Sequence, residues 1–188
     1  MRKKLDVGDK APDFVGLTNT GQKVKLSDYE GKPVWLIFYR YPGCPLCNLH
    51  VSMLSLRYEA VERHGLEVIA VFESPPDAFP SGMKTPAHPK FTMIADDRKK
   101  IYEAYYTESR FSAVIRPSVA VGFLRAIFSG FKQGKVEGDL GQIPAHFLIA
   151  EDGMIEDVHY GKNIDDHIAW KKVDDFLKVR ERLQKDIV

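Results

Sequence analysis

The most regular hydrophobic pattern of the chain lies between residues 33 and 72. Residues 33–40 form a nearly continuous apolar run with β-branched and aromatic residues, which predicts a central strand covered on both faces. Apolar positions at steps of three and four predict a helix from Cys44 to His64, and the apolar face would contain Leu49, Met53, Leu56 and Ala60. Residues 66–72 form a second buried strand, so the sequence predicts a parallel β-α-β unit with a right-handed crossover.

Weaker patterns flank this unit on both sides. The elements they predict are an N-terminal hairpin over Phe14–Leu17 and Val24–Leu26, a strand over 91–97, a helix from Arg98 to Tyr106, a hairpin around Glu151-Asp152-Gly153 and a final helix from Asp165 to Lys185. The predicted inner face of that last helix contains Ala169, Val173, Phe176, Leu177 and Leu183. The order of the elements predicts one α/β domain over residues 1–188, with a central mixed sheet flanked by helices on both faces.

Two segments are harder to place. Residues 73–90 contain five prolines and are expected to form a loop with at most one helical turn. The apolar segment 113–131 is interrupted by Arg116 and Arg125, and it could lie on a membrane surface, form a dimer interface or cover part of the domain as a lid. We favour an inserted helix that packs on the sheet.

Composition and charge narrow the function. The 188 residues are 44% hydrophobic and carry a formal net charge of +1, so no overall field favours nucleic acid or an acidic membrane. The basic residues at the N-terminus are followed by polar positions instead of an apolar leader, and no apolar run reaches the roughly 18 residues that a membrane span needs. We therefore expect a cytoplasmic protein that binds no nucleic acid.

The candidate chemistry lies in the two cysteines, Cys44 and Cys47, which follow Tyr41-Pro42-Gly43 at the start of the predicted helix. A helix N-terminus carries partial positive charge and free N–H groups, which favour the thiolate. Arg40, at the end of the preceding strand, adds a second positive influence. A Cys-x-x-Cys pair in a reducing compartment indicates redox or metal chemistry rather than a structural disulfide.

The pair has two other interpretations. The cysteines could be small buried hydrophobic residues, but the strand, the Pro-Gly turn and the helix around them are a specific context. Cys44, Cys47 and His50 are spaced by threes, but structural zinc normally takes four ligands, and His64 lies too far along the helix to be the fourth. We therefore expect no metal and no cofactor.

Four segments of the sequence resemble a known family. The segments GDKAPDF, LSDYEGKPVWLIFYR, PGCPLC and GDLGQIPAHFLIAEDGMIEDVHYG resemble the alkyl hydroperoxide reductase/thiol-specific antioxidant proteins, which are peroxiredoxin-like, and the likeness covers residues 6–180. It implies a thioredoxin-like fold with added N-terminal strands. It also implies that the protein reduces peroxides or disulfides and is recycled by a thiol reductant of the thioredoxin or glutathione type.

The sequence departs from this family at the active site. With Cys47 aligned as the peroxidatic cysteine, Cys44 occupies the position of the family's Thr or Ser and Arg40 that of its proline. With Cys44 aligned instead, the Thr or Ser position falls on Tyr41, so neither alignment keeps the full motif. The family's later arginine is replaced by Pro144, a position where thioredoxin-like reductases have a cis proline facing the cysteines. By that likeness, the backbone of Ile143 would pair with a bound disulfide.

One expected group is missing from the sequence. Thioredoxins bury an acid six residues before the first cysteine, and here that position is Phe38. Proton transfer to Cys47 would need another group or water, and the candidate groups are Glu73 and His146.

The roles of the two cysteines remain open. By thioredoxin logic Cys44 attacks and Cys47 resolves, whereas the peroxiredoxin alignment reverses the roles. We favour Cys44 as the nucleophile, since the first cysteine is nearer the helix end and usually more exposed. The candidate substrate-binding residues are Arg40, Pro42, Ile143 and Pro144.

The sequence is compatible with three functions. They are a thiol peroxidase, a general protein-disulfide reductase, and a redox sensor whose partner surface would lie around Leu124 and Phe128. A homodimer is left open.

Overall fold

The structure is a computed structural model that describes residues 3–79 and 89–185, and it describes the side chains up to residue 182. Its strands are β1 (Val15–Thr18), β2 (Lys23–Lys25), β3 (Val34–Phe38), β4 (Glu67–Phe72), β5 (Thr92–Ala95), β6 (Ala145–Ile149) and β7 (Ile155–Tyr160). Its α-helices are α1 (Pro45–Glu62), α2 (Lys100–Ala104), α3 (Pro117–Phe128) and α4 (Trp170–Lys185). Short 3-10 helices cover Leu26–Tyr29, Pro76–Ala78 and Phe111–Ala113.

Within the described residues, the strands form one mixed sheet in the order β2-β1-β5-β4-β3-β6-β7. β3 pairs with β4 in parallel, from Val34 opposite Glu67 to Phe38 opposite Val71, which confirms the predicted β-α-β unit. The other neighbour of β3 is β6, which runs antiparallel to it. The predicted N-terminal hairpin is also confirmed, since β1 and β2 pair antiparallel at one edge of the sheet.

Strand β3 separates two hydrophobic cores. Trp35 and Ile37 point into the core beneath α1, while Leu36 and Phe38 point into the core on the opposite face. All five residues of β3 are buried. Because successive side chains of a strand point to opposite faces, a strand covered on both sides needs a continuous apolar run, as residues 33–40 provide.

The predicted apolar face of α1 is wrong. Leu56 is 85% exposed, while the buried residues of the helix body are Val51, Leu54, Tyr58 and Val61. These residues recur at steps of three and four and continue from Cys47, so the second cysteine shares the stripe that faces the sheet. Leu49 and Met53 are partly buried and line a cavity between α1 and α3.

The start of the last helix and the packing of the inserted helix also differ from the prediction. The last helix begins at Trp170, five residues after the predicted Asp165. Of its predicted inner face, Val173, Phe176 and Leu177 are buried as expected. Ala169 precedes the helix and is exposed, and Leu183 lies outside the described side chains. Helix α3 packs mainly beside α1 rather than on the sheet. Residues 80–88 of the predicted loop lie outside the described residues. No helix in the described part of the chain combines the length and apolarity that crossing a membrane requires.

The observed face of α1 can be tested with a pair of leucines two positions apart. Leu54 is fully buried, so Leu54→Ala is expected to lower the free energy of unfolding by about 2–5 kcal/mol. Leu56→Ala is the matched control and should change it by about 0.5 kcal/mol or less, because that side chain is exposed. Urea unfolding measures both values, and equal losses would contradict the burial described for α1.

Candidate active site

The two cysteines lie where β3 ends and α1 begins. Cys44 is the N-cap residue of α1, with an extended backbone (φ −78°, ψ 121°), and Pro45 follows it at the first helical position. Proline is well suited to that position, since its missing N–H would have no partner within the helix. The Cys44 Sγ accepts the backbone N–H of Cys47 at 3.5 Å, as the oxygen of a Ser or Asp cap would. The thiol therefore lies at the positive end of the helix dipole.

The turn before Cys44 is held in shape by the side chain of Asn48. Its Nδ2 donates to the carbonyl oxygens of Pro42 and Cys44, the latter at 2.9 Å. Pro42, a predicted substrate-binding residue, is buried and contributes this carbonyl to the turn. The amide of Asn48 thus fixes the direction in which Cys44 leaves the strand.

Arg40 lies beside the first cysteine, as the sequence predicted. Its side chain is only 2% exposed, and Nη1 donates to Cys44 Sγ at 3.2 Å. Nε is buried and has no hydrogen-bond partner within residues 3–79 and 89–185. Among the described residues, no carboxylate lies within ion-pair distance of this guanidinium, so the Cys44 thiolate is the anion that can balance its charge.

The surroundings of the two thiols shift their pKa values in opposite directions. Burial raises the pKa of Cys44, but the hydrogen bond from the Cys47 thiol, the charge of Arg40 and the adjacent backbone N–H groups outweigh it, and the pKa is lowered to about 7. Burial, reinforced by the neighbouring Cys44, raises the pKa of Cys47 well above its ordinary range. Cys44 is therefore the group that ionises first.

Exposure does not distinguish the two cysteines. Cys44 is 0% and Cys47 is 2% exposed, and both are free thiols. The expectation that the first cysteine is the more exposed one is therefore wrong, and the preference for Cys44 as the nucleophile rests on Arg40 and the helix terminus instead. Because both side chains are buried, a substrate reaches either sulfur only after a neighbouring part of the protein moves.

Ile143 and Pro144 precede β6, next to the end of β3. Ile143 is buried in the same hydrophobic core as both cysteines. The described residues contain no cis peptide bond, so the cis proline implied by the resemblance is wrong for Pro144. The backbone of Ile143 is also in use, because its N–H donates to Glu108 and its carbonyl accepts from the Gln142 side chain.

The two candidate groups for proton transfer to Cys47 are engaged elsewhere. Glu73 is buried, pairs with Lys99 at 3.1 Å and accepts the backbone N–H of Asp139. His146 accepts from Trp35 Nε1 and is hydrogen-bonded to His167. Neither is among the groups that dominate the pKa of Cys47, which are Cys44 and Arg40.

Sequence reasoning missed a cluster of three histidines between α1 and the sheet, in which His50 of α1, His146 and the Nε2 atom of His167 are buried. The His50 and His167 rings are stacked with centroids 3.8 Å apart, and His146 meets them edge-on. His50 Nδ1 is also hydrogen-bonded to Tyr39 Oη at 2.7 Å, so this nitrogen is occupied by a partner other than a metal ion. Within the described residues, no group of three or more His, Cys, Asp or Glu side chains is arranged to hold a metal ion. The spacing of His50 after Cys47 was the one available signal, and it indicates a core position.

Sequence reasoning also missed a segment that lies against the active-site turn. Residues 131–138, which we call the strap, follow α3 without regular structure. The backbone N–H of Gly134 donates to the Gly43 carbonyl at 2.8 Å, and Gln133 Nε2 donates to Tyr41 Oη at 3.2 Å. The glycines at 134 and 138 were the available signal.

Comparison with known proteins places this geometry in a family. The family model described as AhpC/TSA matches residues 7–158. The chain is 28% identical over 104 residues to the thiol-disulfide oxidoreductase ResA of Bacillus thuringiensis (strain Al Hakam), which covers 55% of this chain and 60% of that relative. It is 30% identical over 102 residues to the peroxiredoxin Bcp of Bacillus subtilis (strain 168), which covers 54% and 64%. These matches span less than two thirds of either relative.

A solved structure extends the likeness over nearly the whole chain. The peroxidoxin BcpB from Mycobacterium tuberculosis superposes with a TM-score of 0.65 at 15% identity, covering 95% of this chain and 97% of that one. At this identity the similarity concerns the fold alone. It confirms the predicted thioredoxin-like architecture.

The ionisation of Cys44 gives a prediction for the pH profile of alkylation. The rate with iodoacetamide should rise with pH to a plateau with a midpoint near 7, because only the thiolate reacts. Arg40→Gln removes the adjacent positive charge and should move the midpoint up by about one pH unit. The control, Arg63→Gln, removes an exposed charge at the far end of α1 and should leave it in place. A Cys44→Ser variant that reacts as fast as the parent would show that another thiol is being measured.

Proposed function

The chain belongs to the AhpC/TSA family, and from this we propose that it is a thiol-dependent oxidoreductase whose Cys44–Cys47 dithiol reduces peroxides or disulfides. The observation that carries the proposal is the position of Cys44 Sγ between the start of α1 and the buried guanidinium of Arg40, 3.2 Å away. That position supplies a thiolate near neutral pH, and the thiolate is the attacking species in both reactions.

With a disulfide substrate, the Cys44 thiolate attacks one sulfur and expels the other as a thiolate. The product is a mixed disulfide between Cys44 and the substrate. Cys47 then loses its proton and attacks Cys44 Sγ, which forms the Cys44–Cys47 disulfide and releases the second substrate thiolate. Two electrons have passed from the protein to the substrate. Two equivalents of an external thiol, of the thioredoxin or glutathione type, restore the dithiol.

With a hydroperoxide, the Cys44 thiolate attacks the terminal oxygen and the O–O bond breaks. The alcohol or water leaves after taking a proton, and Cys44 becomes a sulfenic acid. Cys47 condenses with the sulfenic acid, releases water and forms the same disulfide. The reversed assignment, with Cys47 as the peroxidatic cysteine, is disfavoured by the raised pKa of Cys47.

Arg40 is proposed to bind the substrate as well as to activate Cys44. In the family resemblance, a Thr or Ser hydroxyl and a later arginine belong to the active site; with Cys44 as the nucleophile, those positions fall on Tyr41 and Pro144 in this chain. The Nε of the same guanidinium is buried and has no hydrogen-bond partner among the described residues, and we propose that it donates to the substrate's oxygen or sulfur. Pro42, Ile143 and Pro144 are proposed to contact the substrate through apolar surface, without a backbone pairing at Ile143.

A second candidate is a general protein-disulfide reductase. The observation in its favour is the exposed apolar face of α3, where Leu124 and the 87% exposed Phe128 offer contact area to a protein substrate. A redox sensor without turnover would use the same surface. We further propose that residues 1–188 act as one domain in the cytoplasm. A homodimer stays a prediction.

The proposal is tested by following reductant consumption with hydrogen peroxide, an organic hydroperoxide and a protein disulfide. Cys44→Ser is expected to abolish turnover of every substrate. Cys47→Ser should react once per molecule and accumulate the mixed disulfide or the sulfenic acid, because the resolving thiol is missing. The parent should form a Cys44–Cys47 disulfide, seen by mass spectrometry as the loss of two hydrogens.

The relative turnover separates the candidates. Rapid disulfide reduction with negligible hydroperoxide turnover would establish the reductase, and reversible disulfide formation without turnover would establish the sensor. Full activity of the Cys44→Ser variant would contradict the proposal altogether.

A further inference from the structure

Both cysteines of the active site are sealed, and the strap is placed to control access to them. It approaches the site on two sides. Gly134 is bonded to Gly43, the residue before Cys44, and Asp139, just beyond the strap, is bonded through its N–H to Glu73 at 3.0 Å. The Glu73 N–H in turn donates to the carbonyl of Arg40. The segment therefore reaches from Gly43, which precedes Cys44, to Glu73, which is bonded to the backbone of Arg40.

The strap rests on the turn through backbone, and only glycine permits this. A Cβ at Gly134 would lie 3.0 Å from the Gly43 Cα, and one at Gly138 would lie 2.7 Å from the Glu73 carbonyl oxygen. A Cβ at Gly43 would run into the carbonyl oxygen of Lys135. Such close backbone contact leaves no space for a large group between the strap and the turn that leads into Cys44 while the strap is in place.

The strap is also weakly held along its length. Phe131 is buried at one end and Gln142 is buried shortly beyond the other, but Lys132, Gln133, Lys135 and Val136 between them are exposed. The strap is bonded to the turn through the Gly134 N–H and through Gln133, which donates to Tyr41 Oη and, at 3.3 Å, to the Gly43 carbonyl. Helix α1 is held by its own ladder of hydrogen bonds and by a buried face. Because segments with few buried contacts open at the lowest free-energy cost, the strap opens before α1 does.

We propose that the strap is a size filter for the Cys44 site: a small displacement that keeps its contacts with the active-site turn admits small substrates, and a protein disulfide gains access only when the contacts of Gln133 and Gly134 with that turn are broken. This inference rests on the proposed function for the nature of the substrates. A hydroperoxide is a few atoms across and needs a small displacement of the strap. A protein disulfide must bring its own surface over Cys44, which requires the strap to leave Gly43.

The test compares two uncharged maleimides of different size on the reduced full chain in a Cys47→Ser background, so that Cys44 is the only thiol. N-ethylmaleimide is small, and N-pyrenylmaleimide is wide and rigid. In that background the small reagent is expected to react much faster than the large one. Gln133→Ala removes the side-chain hydrogen bonds to the turn, and Gly134→Ala adds a Cβ 3.0 Å from the Gly43 Cα that pushes the strap away from the turn. Each should raise the rate with the large reagent relative to the small one by about fivefold to tenfold, which is the scale of one net hydrogen bond.

Val136→Ala is the matched control, since it is an exposed, uncharged strap residue, and its rate ratio should stay unchanged. Equal ratios in all variants would overturn the inference, as would the same change in the control. Circular dichroism and thermal melting check that each variant is folded, and two independent strap variants guard against the misfolding of one.

Labelling requires no turnover, so the two proposals fail separately. A changed rate ratio in a chain that turns over neither peroxide nor disulfide would leave the strap inference standing and remove the proposed function. In a chain with turnover and Cys47 present, Gln133→Ala should increase protein-disulfide reduction relative to hydroperoxide turnover. An unchanged relative turnover would overturn the filter as a determinant of specificity.

Discussion

The buried guanidinium of Arg40 is the constraint on which the site depends. A positive charge removed from water is costly unless an anion lies beside it, and here the available anion is the Cys44 sulfur at 3.2 Å. The same contact that offsets the burial of the arginine stabilises the reactive form of the cysteine. Both are held by the end of β3 and the start of α1, so the chemistry is a consequence of how a strand passes into a helix.

The fold holds this contact from both sides of the sheet. Strand β3 is buried on both faces, and its partners β4 and β6 fix the height at which Arg40 leaves the sheet. Asn48 then fixes the turn from within the helix by bonding to Pro42 and Cys44. The two cysteines differ because the first caps the helix, whereas the second begins its buried stripe.

Local patterns predicted those parts of the structure that local forces decide. The apolar run before the Pro-Gly turn specified β3, and the Cys-x-x-Cys pair after it specified the site. The pattern failed where two helical stripes competed on α1. Leu49, Met53 and Leu56 form as regular a series as Val51, Leu54 and Tyr58, and only the position of the sheet selects the second. The trans Ile143–Pro144 peptide and the partners of Glu73 likewise depend on distant segments. The strap does too, because Gly134 has to be a glycine only when Gly43 packs against it in the fold.

The cluster of His50, His146 and His167 makes the stability of the domain depend on pH. Burial lowers the pKa of His50 to about 3 and lowers the pKa values of His146 and His167 well below their ordinary range, so all three rings are neutral in the folded chain. The unfolded chain binds those protons near pH 6.5, and each one favours unfolding by about 1.4 kcal/mol per pH unit below that value. Acidification therefore weakens the platform on which α1 rests over the same range in which Cys44 loses its charge. An acidic compartment would remove both the reactivity of the thiol and part of the stability of its scaffold.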